Sequence, residues 1–286
     1  MNKFTLAALG AVVSLFGSPA SAADMPVKAR AVEYVDTWTG FYWGMNAGVA
    51  WIKDVSLTPT PDANTLAFFN TAPADPLPNR ILAKGNAGAI FGLGAGYNWQ
   101  ISSVVLGIET DIQKSWAHAR GGEVLPRVAV PGTTAFPFGE ADLAWFGTLR
   151  ARLGVLATPS VLLYGTGGLA YGEVAQRWAY FNVDAAGNRG RQSGPAGDSN
   201  ISLGWAAGAG LEWKIARGVS LGAEYLYVNL RSGKTFNTGL PNTGCGTGVP
   251  VNVCNFSVQT TDQSTQIARV KLNFAFGGPS AVVAKY

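Results

Sequence analysis

Along residues 40–52, apolar positions alternate with small or hydrogen-bonding ones. Phe41, Trp43, Met45, Ala47, Val49 and Trp51 fall on one side, and Tyr42, Gly44, Asn46, Gly48 and Ala50 on the other. A period of two predicts a β-strand with one apolar face. Rings stand at both ends of that face with aliphatic side chains between them, the order in which a spanning strand meets the two interfaces of a bilayer. Seven more segments carry the same signature. Their apolar sides include Ala89 to Trp99 within 87–99, Val104 to Trp116 within 103–116, and Leu143, Trp145, Gly147, Leu149, Ala151, Leu153 and Val155 within 141–156. The others are 160–177, where glycines interrupt the apolar side, then 200–214, 218–230 and 264–276. Tight links at 100–102, 157–159 and 214–217 alternate with long polar connections at 53–86, 117–140, 178–199 and 231–263. The expected fold is all-β: an eight-stranded antiparallel up-and-down transmembrane β-barrel. It has short periplasmic turns and four long extracellular loops, the layout of bacterial outer-membrane barrels.

Composition points the same way. Only 13% of the chain is charged against 48% hydrophobic, and it contains 37 glycines and 9 tryptophans. Soluble domains average about 25% charged residues. No apolar run after the N-terminus approaches the roughly 20 residues of a membrane helix, so a helix-free chain is expected. The N-terminus itself reads as a secretory signal: Lys3, an apolar run from Phe4 to Gly17, and the small residues Ala20-Ser21-Ala22. The expected organisation is a signal peptide over 1–22, cleaved after Ala22 or one residue later, and a periplasmic leader over 23–39. The barrel follows over 40–276, with a C-terminal extension over 277–286. Losing Lys3 lowers the formal net charge from +4 to +3, too small a balance to argue for nucleic acid. The two cysteines, Cys245 and Cys254, lie in a segment rich in Gly, Thr and Asn. In an oxidising compartment they are expected to form a disulfide.

The side opposite the apolar face carries charges at matching depths: Glu109 and Asp111, Arg150 and Arg152, Glu212, Glu224, and Arg269 and Lys271. Four acids and four bases inside a narrow barrel should pair, because an isolated charge there is costly to desolvate. An eight-stranded interior is just wide enough for side chains to fill, so the expectation is a salt-bridge network filling the lumen. The competing reading is a narrow ion path, since the inward glycines Gly44, Gly48, Gly92, Gly94, Gly204, Gly208 and Gly210 leave room for water.

Two other patterns carry less. Gly165-Thr-Gly167-Gly-Leu-Ala170 fits a dinucleotide fingerprint, but that site needs a helix at this point, and Tyr171-Gly172-Glu173-Val174 continues as a strand. Glycines here ease a bent strand. His118, the single histidine, stands near Ser115 and Asp111 along the chain and is the one candidate base; a lone histidine at a strand–loop junction is far more often an ordinary surface residue. No catalytic, cofactor or metal site is expected.

The opening Trp38-Thr39-Gly40-Phe41-Tyr42, after Ala23-Asp24-Met25-Pro26-Val27-Lys28, resembles the porin-family outer-membrane immunogenic proteins of alphaproteobacteria. These belong with the OmpA-like eight-stranded barrels. Leu149-Arg150-Ala151-Arg152-Leu153-Gly154, Gly222-Ala223-Glu224-Tyr225-Leu226-Tyr227 and the closing Val270 to Phe276 carry the resemblance through the strands. It implies insertion in the Gram-negative outer membrane, surface exposure and envelope support, without catalytic residues. The implied partners are outer-membrane lipid and lipopolysaccharide, and during biogenesis the barrel-assembly machinery and periplasmic chaperones. The chain is expected to be a monomer. A narrow porin for small solutes, and a loop-borne adhesin or haem-type ligand binder, are the alternative functions. Gly277 to Tyr286 runs past the aromatic that ordinarily closes the last strand, leaving Phe276 and Tyr286 as rival assembly signals.

Overall fold

The computed structural model describes residues 34–35, 37–71, 79–126, 132, 134–183, 186–187, 189–238, 255–276 and 280–281. The expected signal peptide, most of the leader, Cys245, Cys254 and most of the C-terminal extension lie outside them. A short separate ladder joins Tyr34–Val35 to Ser280–Ala281.

The main sheet is antiparallel and holds eight long strands: β1 (Gly40–Ile52), β2 (Ala87–Ile101), β3 (Val104–Ser115), β4 (Thr134–Thr158), β5 (Val161–Val183), β6 (Arg189–Ala216), β7 (Val219–Leu230) and β8 (Gln263–Phe276). Each pairs with its neighbours in the chain, and β8 pairs with β1 from Phe276↔Phe41 to Thr265↔Ile52, so the ladder closes on itself. Closure leaves no open edge in this ring. At one end, two-residue links join β2 to β3, β4 to β5 and β6 to β7; Ser102 (φ 56°) and Gly218 (φ 71°) supply the left-handed backbone that such tight hairpins require.

The other end departs from expectation. Among the described residues the sheet counts fourteen strands rather than eight, and the connections read as loops supply the difference. β4, β5 and β6 run 25, 23 and 28 residues, far past the roughly 9–11 needed to cross a bilayer. A strand that outruns the ring exposes unpaired N–H and C=O groups. Segments of the long connections cover them: beyond β4 lie His118–Gly122, Ile81–Gly85, Val55–Pro61, Phe256–Thr260 and Thr235–Asn237 in that lateral order, with Leu125–Pro126 also on β4. The chain is not helix-free either, since Ala63–Thr71 forms a short α-helix. This outer storey has its own apolar core, in which Leu57, Ile81, Leu143, Phe146, Trp178, Tyr180 and Phe256 are buried. Trp178 packs 5.0 Å from Phe256, ring centre to ring centre.

Below this storey the ring wears an exposed apolar band bounded by two rows of rings. Phe41, Trp43, Tyr97, Trp99, Trp213 and Phe276 stand toward the two-residue turns, with Trp43 stacked on Phe274 at 5.0 Å. Trp51, Trp116 and the pairs Trp145–Tyr171 and Trp205–Tyr227 stand toward the outer storey. Rings at both margins with Leu93, Ile108, Leu149, Leu163 and Val270 between them are what a bilayer selects. Leu149→Arg is therefore expected to destabilise insertion by about 2–4 kcal/mol, and Leu221→Arg, beside Trp213 at the margin, by about 0–1 kcal/mol. Urea titration of protein folded into lipid vesicles measures it, and unchanged insertion of Leu149→Arg would contradict this facing.

One expected lipid-facing residue is not there. Leu143 is 1% exposed and lies in the outer core. Trp145 pairs with Glu173 while Leu143 pairs with Val174, so Ala144 is an extra residue. Such a β-bulge reverses the alternation on its own strand. Beyond it the even-numbered residues of β4 face outward and the odd-numbered ones turn in.

Candidate functional site: the charged interior

The eight charges expected on the inner face lie together, each with a side chain no more than 6% exposed. Register explains the meeting: Glu109 stands directly across from Arg150, and Glu224 across from Arg269. Arg150 Nη2 donates to Glu109 Oε1 (2.5 Å) and Asp111 Oδ2 (2.8 Å). From the far wall, Arg269 Nη2 donates to Asp111 Oδ2 (2.8 Å) and Glu224 Oε1 (2.5 Å). Lys271 Nζ reaches both Glu109 oxygens, at 2.7 and 2.5 Å. Arg152 instead turns to Glu212, with Nη2 2.8 Å from Oε2, and lies 3.6 Å from Glu109. The pairing is therefore across the lumen as much as along neighbouring strands. The four acids and four bases balance to zero, which a dry interior demands.

Sequence reasoning missed the neutral partners that extend this network. Tyr42 Oη donates to Glu109 Oε2 (2.6 Å) and accepts from Arg152 Nη1 (3.0 Å). Tyr164 Oη donates to Glu224 Oε2 (2.9 Å), and its ring lies 4.1 Å beneath the Arg152 guanidinium, a cation–π contact. Ser220 and Asn273 both donate to Glu212 Oε1. The signal available was parity, because all four residues share the inward phase of their strands.

The inward glycines also act differently from the expectation that they leave room for water. A side chain at Gly210 would meet the Tyr164 ring within 2.7 Å, and one at Gly92 would meet the Gln113 amide at 2.7–2.8 Å. At Gly48 a Cβ would come within 2.8 Å of the Arg269 side chain. These three glycines are cradles over which large neighbours lean, whereas Gly94 borders the little space that remains. A void lined by Asn46, Gly94, Asp111, Arg269 and Asn273 measures about 10 Å³, about the least that admits a single water.

The turn end is also closed. Within the expected leader, Trp38 donates its backbone N–H to Gln100 Oε1 (2.8 Å) on β2 and its indole N–H to Pro159 O (3.2 Å) between β4 and β5. Lys214 of β6 donates to Thr37 O (3.1 Å) with its ammonium 4.7 Å over the Trp38 ring. The indole packs with Val105, Leu162 and Tyr164. Residues 37–39 thus cross beneath the network from one wall to another.

The rival patterns do not assemble. Asp111 and Ser115 are buried on the inner face, whereas His118 is on the outer one with Nδ1 3.4 Å from Trp116 O. Gly165 to Ala170 lies inside the uninterrupted strand β5, with no helix following.

The family model for the outer membrane protein beta-barrel domain matches residues 8–276. The chain is 34% identical over 230 residues to the 31 kDa outer-membrane immunogenic protein of Brucella melitensis, covering 78% of this chain and 85% of that protein. It is 27% identical over 211 residues to a 22 kDa outer membrane protein of Rhizobium leguminosarum, covering 74% and 71% respectively. Among solved structures, Neisserial surface protein A aligns over 83% of this chain and 98% of its own, with 12% identity and a TM-score of 0.36. A closed apolar-banded ladder, a charge-filled interior, the family model and the two sequence relatives converge: the chain belongs to the outer membrane protein beta-barrel domain family, beside the outer-membrane immunogenic proteins of alphaproteobacteria.

Proposed function

We propose that this protein is a sealed, non-enzymatic anchor in the outer membrane, crossing it as a monomeric eight-stranded barrel and holding its outer storey at the cell surface. In this reading the two-residue turns face the periplasm and the long connections face outward, among lipopolysaccharide, as short turns and long loops are disposed in bacterial barrels. The observation that carries the proposal is the charge network across the lumen, in which each of the eight groups has at least one oppositely charged partner. Trp38 on one side of it and the apolar core around Trp178 on the other support the same conclusion. These three barriers in series favour the anchor over a narrow porin.

Single-channel recording in planar bilayers tests this. The wild-type protein and Trp38→Ala are both expected to be electrically silent, because the variant removes one barrier and leaves two. Discrete, reproducible conductance steps in the wild type would overturn the sealed reading in favour of a pore.

A further inference from the structure

The bulge at Ala144 does more than bury Leu143. By reversing the alternation it turns Phe136, Phe138, Glu140 and Asp142 to the outer face, just beyond the Trp145–Tyr171 ring pair. Without the extra residue these four would point into the core and Leu143 outward. Bulges often re-aim side chains in this way next to functional sites. Against the outer faces of β5 and β6 the re-aimed residues line a cleft of about 990 Å³. That is within the range of small-molecule sites, about 300–1,000 Å³. Phe136, Phe138 and Phe181 give it aromatic walls, and Ala144, Ala175 and Ala179 a small-residue floor.

Its charges are unevenly matched. Glu140 is held by Arg120 (2.9 Å), and Asp198 is paired with Lys234 (3.5 Å). Glu173 accepts from Trp145 Nε1 and Ser199 Oγ. Arg177 also lines the cleft. Among the described residues Asp142 has no ion pair; His118 stands across from it on the neighbouring strand. Burial, and then the adjacent Glu140 carboxylate, push the Asp142 carboxyl up from its usual range, while Arg120 and Arg177 pull it the other way. A carboxylate crowded by another carboxylate is relieved by a cation.

We infer that this cleft is a binding site for a small organic cation with an apolar body, its positive group seated at Asp142 and its body between the phenylalanine rings. The aromatic faces attract the cation through their quadrupoles. Glu173, also without an ion pair among the described residues, is already held by Trp145 and Ser199, so Asp142 sets the charge to be met. Because the cleft lies on the outer face of β4 and β5, the inference goes beyond the sealed-anchor reading and stands or falls without it.

The test is calorimetric titration of the protein in lipid nanodiscs, with empty nanodiscs as the blank. The probe is benzyltrimethylammonium, with phenylacetate as an anion of similar body. The expected result is saturable one-to-one binding of the cation, absent for phenylacetate. Asp142→Asn or Phe138→Ala should weaken it about tenfold, in line with a lost charge or cation–π contact. The wild-type comparison decides without either variant: equal binding of phenylacetate, or uptake of the cation no greater than by empty nanodiscs, overturns the inference. Unchanged affinity in a folded Asp142→Asn variant overturns the seat assigned to the cation.

Discussion

Arg150→Ala is expected to destabilise the barrel by about 3–5 kcal/mol, the cost of leaving buried charges without their partner. The arginine is fully buried and touches Glu109, Asp111 and Glu224 at once. Its loss leaves the interior one negative charge in excess, and Asp111 then depends on Arg269 alone. Thr148 and Thr166, which accept from the same guanidinium, lose that donor as well. Urea titration followed by folded gel mobility reads the change directly. A loss of only about 0–1 kcal/mol, the value for exposed pairs, would mean that water fills the lumen and that the network is not the seal proposed for it.

Trp178→Ala is expected to cost a comparable amount, about 3–5 kcal/mol for a large aromatic removed from a packed core, but in a different place. Trp178 is completely buried and packs on Tyr180 and Phe256. Phe256 begins the strand that pairs with Val55–Pro61, so the indole ties two long connections to β5. The variant should loosen the outer storey while the ring below keeps its ladder, because the apolar band and charge network do not use this side chain. Limited proteolysis checks it: new cuts within 55–61 and 256–260, with β1 to β8 protected, are the expected pattern. Cleavage identical to wild type at an unchanged urea midpoint would show that the outer core does not depend on Trp178.

Two features of the chain were legible without coordinates. The first is facing within the spanning part of each strand. Lipid and lumen lie on opposite sides of a single layer, so the alternation of Phe41 with Tyr42, or of Leu149 with Arg150, is sufficient to assign them. The second is the membership of the interior network. Eight charges in the inward phase of a narrow ring have no other place to go, and all eight meet.

What only the tertiary structure decided depends on contacts between distant segments. Which acid meets which base follows from the width of the lumen: Arg152 passes over near neighbours to reach Glu212, and Lys271 crosses to Glu109. The roles of Gly92 and Gly210 appear only when Gln113 and Tyr164 from other strands lean over them. The bulge at Ala144 has no local mark, because Leu143 continues the apolar alternation of its strand and is turned inward by a slip against β5. The outer strands are the extreme case. Val55–Pro61 pairs with Phe256–Thr260, and both are short, polar and interrupted by proline, threonine or serine. Their own sequences give them little reason to be strands. They become so because β4, β5 and β6 extend past the membrane and present unpaired backbone and an apolar inner face that these segments can satisfy. Lipid acts on each strand one residue at a time and leaves its mark in local sequence, whereas a packed storey is specified by partners some 200 residues apart along the chain.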